Sequence, residues 1–388
     1  MSEFSFDKIT DRTGTLSYKW QVDSTELPMW VADMDFETAP AVKAAIVKRA
    51  EHGIFGYTDT PKEYFEALSS YFERRHGFAI PTEWLIYSNG VVAAISSLVR
   101  RFSHPAESVL IMAPVYNIFY NSILNNGRNV LSCELTYEGG EYSLDFDKLE
   151  EMLARPLATL MILCNPHNPV GKVWAKEELI KIGELCKRHN VTVISDEIHC
   201  DFVKPGLAYT PFASASDTCA DISVSCVSAS KTFNIAGLQS AAVFAKNPLI
   251  RYRAFRGINN DEVGEPNAFS MQACIAAYTE CDGWVDGLID YVFENKRLAC
   301  EYINERIEGL RVKNSDATYL LWIDISALGI GSCEFCQKIR ELTGLYITAG
   351  VEYGEAGDGF VRMNLATQRE RVKDGLKRLE KGVLLLRG

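Results

Sequence analysis

Three polar residues that could do chemistry stand where apolar, strand-like runs of the sequence end. Asn165 follows "ATLMILC" (158–164), Asp196 closes "VTVISD" (191–196) and Lys231 closes "ISVSCVSASK" (222–231). A lysine at the end of a buried strand is costly unless it is paired, neutral or used covalently. Taken alone, Lys231 could instead extend its long stem to water, so its role depends on the residues around it.

An acid and an amide near such a lysine suggest one particular chemistry. A lysine amine can form a Schiff base with an aldehyde, and pyridoxal phosphate is the common aldehyde cofactor. This cofactor needs a carboxylate at its pyridine nitrogen, which Asp196 could supply, and a donor to its phenolate oxygen, which Asn165 could supply. Read singly, Asp196 is also a good helix N-cap and Asn165 a good turn residue before proline.

Other residues could bind the phosphate and the ring of such a cofactor: Gly90, Val91, Val92, Ser228, Ser230 and Tyr116. The first three stand at a predicted helix start, where free backbone N–H groups and the helix dipole favour an anion. The two serines offer hydroxyls just before the lysine, although small residues there could serve packing alone. The tyrosine could stack on the ring, although an aromatic residue at a strand end more often belongs to the core.

The elements that would position these residues alternate between strands and helices. Between 158–164 and 191–196 lies "AKEELIKIGELCKRHN" (175–190), with apolar residues at helical spacing and a basic last turn. Strand, helix and strand in this order predict parallel β-α-β units, whose sheet presents ligands at the carboxyl ends of its strands. A long helical stretch near 284–309 and a smaller α+β unit follow. The fold class is therefore predicted to be α/β.

Composition narrows the class of protein further. The chain has 388 residues, 47% of them hydrophobic, and a formal net charge of −11. No Lys/Arg block is dense enough to follow a phosphate backbone, so no nucleic-acid partner is expected. The N-terminus lacks signal-peptide features and no run of about 18 apolar residues occurs, so no membrane span is expected. Eleven cysteines without a secretion signal favour reduced thiols and a cytoplasmic protein.

Two patterns that could bind a metal are weak, and no metal is expected. Cys333 and Cys336 form a C-x-x-C pair without a second pair or a nearby histidine, whereas a tetrahedral zinc site needs four ligands. A second pattern combines Asp196, Glu197, His199 and Asp201. Consecutive strand residues point to opposite faces, however, and no further cluster completes this set.

Six motifs give the chain a family resemblance: "SNGVV", "APVY", "CNPHNPVG", "SDEIH", "SASKTFNIAGL" and "FVRMNLA". In order and spacing they resemble the class I/II aminotransferase-fold enzymes that depend on pyridoxal phosphate. With "TDRTGTLSYKW" and "LPMWVADMDF" (27–36), the chain is most similar to the MalY/PatB branch of cystathionine β-lyase-like C–S lyases. The resemblance implies fold type I, the PLP-dependent transferase fold. Its predicted parts are an N-terminal segment (1–45) joined to a small C-terminal α+β domain (284–388), and a large, mostly parallel sheet domain (46–283).

The resemblance also implies a role for each matching residue. Lys231 would form the Schiff base and carry protons, Asp196 would pair with the pyridine nitrogen, and Asn165 would contact the phenolate oxygen. Tyr116 would stack on the ring. Arg362, in "FVRMNLA", would bind the substrate carboxylate through its forked guanidinium, although an arginine there could also lie on an exposed edge strand.

Three further positions bear on assembly and on the type of reaction. Tyr57, in "GIFGYTDTP", resembles the tyrosine that reaches the phosphate of the neighbouring subunit, which implies a homodimer. His199 replaces the tyrosine usual in aminotransferases and resembles the lyase branch, where it would lie in the cofactor site. Gln239 replaces an arginine that often binds the phosphate, which leaves serines, backbone N–H groups and Tyr57 for that task.

The predicted reaction is β-elimination from sulfur amino acids. Such a lyase would cleave cystathionine or other cysteine S-conjugates to pyruvate, ammonia and a thiol. An aminotransferase is the alternative, because the same residues serve both reactions and only the resemblance favours the lyase. A regulatory protein that binds a partner is a third possibility, weakened by the presence of both Lys231 and Asp196.

Overall fold

The apolar runs of the sequence form the strands of four sheets in the computed structural model, which describes residues 4–388. The strands, in chain order, are β1 (Leu27–Pro28), β2 (Leu85–Ser88), β3 (Ser108–Ala113), β4 (Asn129–Glu134), β5 (Thr136–Glu138), β6 (Glu141–Ser143), β7 (Ala158–Cys164), β8 (Thr192–Asp196), β9 (Ser223–Val227), β10 (Ala241–Phe244), β11 (Arg311–Val312), β12 (Leu320–Asp324), β13 (Leu345–Tyr346), β14 (Thr348–Ala349) and β15 (Phe360–Asn364). Strands β7, β9 and β10 are almost wholly buried on both faces, which explains why their sequences lack polar alternation.

Helices pack against these sheets, and their ends follow local capping rules. They are α1 (Pro40–Glu51), α2 (Lys62–His76), α3 (Val91–Phe102), α4 (Ile118–Leu124), α5 (Phe146–Leu153), α6 (Lys176–Arg188), α7 (Phe212–Ala215), α8 (Asp217–Ile222), α9 (Ala229–Thr232), α10 (Pro248–Asn260), α11 (Ser270–Glu280), α12 (Asp282–Arg306), α13 (Ser332–Thr343) and α14 (Arg369–Arg387). Asn247 caps α10, because its side-chain oxygen accepts from the first backbone N–H groups of that helix. Gly77 ends α2 in the left-handed conformation that glycine adopts readily.

The central sheet has seven strands in the order β2-β10-β9-β8-β7-β3-β4. The five strands from β9 to β4 are parallel, whereas β10 is antiparallel to both of its neighbours. Alternate residues face two separate cores. Ile162 and Ile194 pack in the core that includes α3 and α10, whereas Met161 and Val193 pack in the core that includes α5 and α6. The carboxyl ends of β7, β8 and β9 therefore meet at one edge, as the sequence predicted.

A four-stranded antiparallel sheet, in the order β11-β12-β15-β14, forms a second unit near the C-terminus. Helices α12, α13 and α14 share its apolar core. The N-terminal strand β1 pairs in parallel with β13, and Leu27 and Met29 lie in the same core. Residues 27–29 are thus attached to the C-terminal unit. Among residues 4–388, no helix combines the length and apolar character needed to span a membrane.

The structure differs from the sequence prediction at the lysine. The run 222–231 is not one strand: β9 ends at Val227, and Lys231 lies on the short helix α9 that follows. Ser228 makes this turn possible, because its hydroxyl oxygen accepts from the backbone N–H of Ser230 at 3.0 Å and its own O–H donates to the Ser240 carbonyl at 2.6 Å. The cap was not recognised in the sequence, because Ser228 stands among small and apolar residues that resemble a continuing strand.

Candidate active site

A cavity of about 590 Å³ opens at the carboxyl ends of β7, β8 and β9. Its volume is in the range of small-molecule and cofactor sites. The predicted residues that line it are Gly90, Val91, Val92, Tyr116, Asp196, His199, Ser228, Ser230 and Lys231. Residues separated by up to 141 positions in the chain thus surround one cavity. Asn165 and Tyr57 do not line it, and Arg362 lies just behind the lining.

Lys231 extends its amine into this cavity from α9. Its Nζ donates to the carbonyl of Ala32 at 2.7 Å. Burial, together with the nearby Arg362 cation, lowers the pKa of Lys231 to about 8, while Asp33 and Asp196 act in the opposite direction. The amine is hydrogen-bonded inside the cavity, and about a tenth of it is unprotonated at pH 7.

Asp196 is the last residue of β8 and is buried beside the cavity. Its Oδ1 accepts from the backbone N–H of Ile198 at 3.1 Å, so the carboxylate does cap the following turn. Burial raises the pKa of Asp196 to about 7, and this effect outweighs the N–H of Ile198 and the charge of Lys231. A cation bound next to this buried carboxylate would stabilise its ionised form.

The structure brings Asn168, rather than Asn165, to the cavity. The Asn165 Nδ2 donates to the carbonyl of Thr210 at 3.0 Å, and its Oδ1 has no hydrogen-bond partner within residues 4–388. Both asparagines precede prolines in "CNPHNPVG", and both of these Asn–Pro bonds are cis. The repeated Asn-Pro pair gave no local signal for choosing between them, because the choice depends on how the chain turns after β7.

Arg362 lies on β15 with its guanidinium buried between the two units of the fold. Its Nη2 donates to the Trp30 carbonyl at 2.9 Å and its Nη1 to Oδ1 of Asn168 at 3.3 Å. The guanidinium carbon lies 4.8 Å from the centre of the Tyr353 ring. Because β15 is flanked by β12 and β14, the alternative of an exposed edge strand is wrong. Within the described chain its Nε has no hydrogen-bond partner.

His199 and Tyr116 complete the polar wall. Burial, together with the cations of Lys231 and Arg362, lowers the pKa of His199 to about 3, so its imidazole is neutral. The ring lies 5.8 Å from that of Tyr319, edge to face, and its Nδ1 has no partner among residues 4–388. Burial raises the pKa of Tyr116 to about 12, so this phenol keeps its proton.

The opposite end of the cavity is suited to an anion. Helix α3 begins at Val91, directly after Gly90, and the free N–H groups of its first turn lie in the cavity wall. Gln239 and Ser240 line the same wall. Gln239 occupies the position of an arginine that often binds the phosphate in the family. Its side chain is neutral, but it still lines the cavity.

One functional element that the sequence indicated only as a motif is the segment 30–36. Its Ala32 carbonyl accepts from both Lys231 and the hydroxyl of Tyr319, at 2.7 and 2.9 Å. Asn364 donates to the Val31 and Asp33 carbonyls at 2.6 Å each. Ion pairs from Lys19 and Arg12 hold the buried Asp35 at 2.9 and 2.8 Å. These contacts fix the segment as a rigid wall beside the lysine.

Tyr57 is fully exposed and does not line the cavity of its own chain. It lies in the segment between α1 and α2, which has no regular secondary structure. The neighbouring Ile54 and Phe55 are also exposed to more than half of their possible extent. The expectation that Tyr57 serves another subunit therefore stays a prediction.

The family model of aminotransferase class I and II matches residues 27–379, and the chain belongs to this family. It is 41% identical to cystathionine beta-lyase PatB of Bacillus subtilis (strain 168), over 97% of this chain and 99% of that protein. It is 33% identical to protein MalY of Escherichia coli (strain K12), over 99% of this chain and 100% of MalY. The crystal structure of cystalysin from Treponema denticola, which contains a pyridoxal 5'-phosphate cofactor, superposes with a TM-score of 0.95 at 33% identity, over 99% of both chains.

The predicted family and the PLP-dependent transferase fold are thus confirmed. The prediction of a MalY/PatB-like chain is confirmed as well, because both relatives match over their whole length.

Proposed function

We propose that this chain is a pyridoxal phosphate-dependent C–S lyase that removes the sulfur group from cystathionine or related cysteine S-conjugates. The products are pyruvate, ammonia and a thiol. The observation that carries this proposal is the meeting of the Lys231 amine, the Asp196 carboxylate and the first turn of α3 in one cavity. Similarity along the whole chain to relatives named cystathionine beta-lyase favours elimination over transamination.

The residues of the cavity fit pyridoxal phosphate. Asp196 has one backbone N–H as its hydrogen-bond donor and a pKa raised by burial to about 7, so a protonated pyridine nitrogen would complete its environment. Lys231 would hold the aldehyde carbon, Tyr116 the ring face, and Asn168 the phenolate oxygen. His199 lines the same wall. The phosphate would be bound by the N–H groups of Gly90, Val91 and Val92 and by the hydroxyl of Ser230. The hydroxyl of Ser228 would join them by turning its O–H from the Ser240 carbonyl to the phosphate.

In this proposal Asn168 takes the role that the family resemblance assigned to Asn165. Its Oδ1 accepts from Arg362, which orients its amide nitrogen away from the guanidinium and leaves that nitrogen free to donate. Asn165 instead fixes the loop before α7 through the Thr210 carbonyl. The hydrogen bond from Arg362 to Asn168 thus connects the residue proposed to bind the substrate with the residue proposed to bind the cofactor.

Arg362 would bind and orient the substrate carboxylate. Its guanidinium is held in place by the Trp30 carbonyl and Asn168, and its Nε remains available as a donor. A planar, pre-oriented fork binds a carboxylate through two parallel hydrogen bonds. The neutral His199 adds no competing cation next to it, so the substrate has one strong anion-binding group to align with.

Lys231 would move the proton. Its pKa of about 8 leaves enough free amine at neutral pH to take the Cα proton of a bound amino acid. When bound, pyridoxal phosphate supplies the electron sink that stabilises the resulting negative charge. The C–S bond then breaks, the sulfur leaves with the bonding electrons as a thiolate, and Lys231 Nζ is the group placed to return a proton. Ala32 offers its carbonyl as the resting acceptor of that amine.

Release of pyruvate and thiol tests this function directly. Purified protein saturated with pyridoxal phosphate should release the two products from L-cystathionine in equal amounts, and Lys231→Ala should reduce the rate by at least about a thousandfold because the proton carrier is lost. Formation of the corresponding keto acid without a thiol would replace the lyase with an aminotransferase. Undiminished activity of Lys231→Ala would contradict the assigned site.

We propose in addition that two chains form a homodimer and that Tyr57 of each chain reaches the phosphate end of the other chain's cavity. The exposed aromatic and aliphatic side chains of 54–57 support such an interface. Val92, which lines the cavity, is 43% exposed, as expected of a cavity mouth that a second chain covers.

The domain division at residues 45 and 283, with the N-terminal segment joined to the C-terminal unit, is part of the same proposal. The pairing of β1 with β13 supports it.

We also propose a cytoplasmic location, since all eleven cysteines are free thiols and nine of them are buried. Cell fractionation with an antibody against the protein tests the location.

A further inference from the structure

A second cavity, of about 570 Å³, lies where the end of α2 meets the turn after β8. It shares no lining residue with the candidate active site. Three residues of its wall, His76, Cys200 and Asp201, form the one group of potential metal ligands in close proximity among residues 4–388. Their ligand atoms all lie within 4.8 Å of one another.

The geometry of two of these groups is unusual for a hydrogen-bonded pair. Nε2 of His76 lies 3.1 Å from Oδ1 of Asp201, and the two side chains are only 5% and 4% exposed. They form a buried ion pair whose angles depart from those of a linear hydrogen bond. The imidazole and the carboxylate therefore face a common space in the cavity wall.

That spacing matches the edge of a coordination tetrahedron. Metal–nitrogen and metal–oxygen bonds of about 2.0–2.1 Å place neighbouring ligand atoms roughly 3.3 Å apart around a tetrahedral ion. The sulfur of Cys200 belongs to the same cluster, whose ligand atoms lie within 4.8 Å of one another, and would supply a third corner. The cavity itself has room for a water molecule as the fourth ligand.

Neighbouring side chains hold the His76 ring and the Asp201 carboxylate in place. The His76 ring packs edge to face against Phe72 and Tyr209, at centroid distances of 4.9 and 5.1 Å. The other oxygen of Asp201, Oδ2, accepts from the hydroxyl of Thr232 at 2.6 Å, which fixes the carboxylate while Oδ1 faces His76.

The net charge of the residues that line this cavity is close to zero. Arg75 is paired with Asp286, at 2.5 Å. Lys204 and Asp290 remain on the rim. The carboxylate of Asp201 therefore leaves the cavity slightly favourable to a cation.

We propose that His76, Cys200 and Asp201 form a binding site for a divalent transition-metal ion, with zinc as the best match. An imidazole, a thiolate and a carboxylate are ligands that zinc accepts together, whereas calcium and magnesium prefer oxygen ligands alone. Three protein ligands and a water make an open site. The proposed metal site is connected to the active site, because Asp201 accepts a hydrogen bond from Thr232, the neighbour of Lys231 in α9.

No sequence pattern pointed to this site. His76 is separated from Cys200 by 124 positions, and the metal-binding patterns that we considered there used other sets of residues. Asp201 belonged to one of those sets, but the structure places it with His76 rather than with Asp196 or His199.

Metal analysis of the holoenzyme tests the proposal. Wild-type protein, Cys200→Ser and His76→Gln are dialysed against excess Zn²⁺, then against metal-free buffer, and their zinc content is measured. Cys333→Ser is the matched control, because Cys333 is an exposed cysteine of the C-x-x-C pair. We expect one zinc per chain in the wild type and in the control, and loss of that zinc in the other two variants, each with unchanged cofactor absorbance and circular dichroism.

A second measurement identifies the ligand and keeps the test valid if one variant folds poorly. Co²⁺ in a tetrahedral site with a thiolate absorbs at visible wavelengths longer than those of the cofactor, so the wild type should show these bands and Cys200→Ser should lack them. The proposal is overturned if the wild type retains no zinc. It is equally overturned if zinc is retained by Cys200→Ser and His76→Gln, or lost only from Cys333→Ser.

Discussion

At the scale of single residues, burial is what makes the candidate site reactive. The same desolvation moves the pKa of Lys231 down to about 8 and the pKa of Asp196 up to about 7, so each group is poised near neutral pH. His199 illustrates the same effect, because burial and two neighbouring cations keep its imidazole neutral. The cavity is therefore prepared to receive one cationic ring and one anionic substrate.

Arg362 gives the sharpest prediction at this scale. Arg362→Lys keeps the positive charge but loses the planar fork, so we expect KM for L-cystathionine to rise by about 10–100-fold, as the loss of one charge-assisted hydrogen bond implies. The cofactor should remain bound, because Arg362 reaches it only through its hydrogen bond to Asn168. Steady-state kinetics measure the effect, and an unaltered KM would remove Arg362 from the substrate site.

At the scale of secondary-structure elements, the sequence predicted the positions of strands better than the turns that follow them. The buried runs that became β7 and β8 were recognisable because they are apolar on both faces, and Asp196 did end its strand. Lys231 did not, because Ser228 starts a helical turn after β9. The preference for Asn168 over Asn165 also arises in a turn, where "NPHNP" offers two equivalent candidates.

Contacts between distant elements were beyond local sequence patterns. The Ala32 carbonyl has no side chain to mark it, yet it accepts from Lys231 and from Tyr319. Its position depends on Asn364 and on the buried Lys19–Asp35 ion pair, which come from opposite ends of the chain. The motif containing Ala32 was visible in the sequence, whereas its proximity to the lysine is a property of the assembled fold.

At the scale of the whole molecule, the proposed dimer makes a prediction of its own. Because each cavity would use Tyr57 from the other chain, co-expressing Lys231→Ala with Tyr57→Ala should yield hybrid dimers in which one of the two cavities carries neither substitution. We expect the hybrids to be more active than either variant alone, and sedimentation equilibrium to give twice the mass of one chain. A monomeric mass, or hybrids no more active than the variants, would contradict the shared site.

The central claim is that the cavity at the carboxyl ends of β7, β8 and β9 is the cofactor site and that Lys231 is its covalent residue. The most direct test is to saturate the protein with pyridoxal phosphate, reduce it with borohydride, digest it and locate the modified lysine by mass spectrometry. We predict one modified lysine per chain, at Lys231. Modification at another lysine, or none at all, would contradict the account.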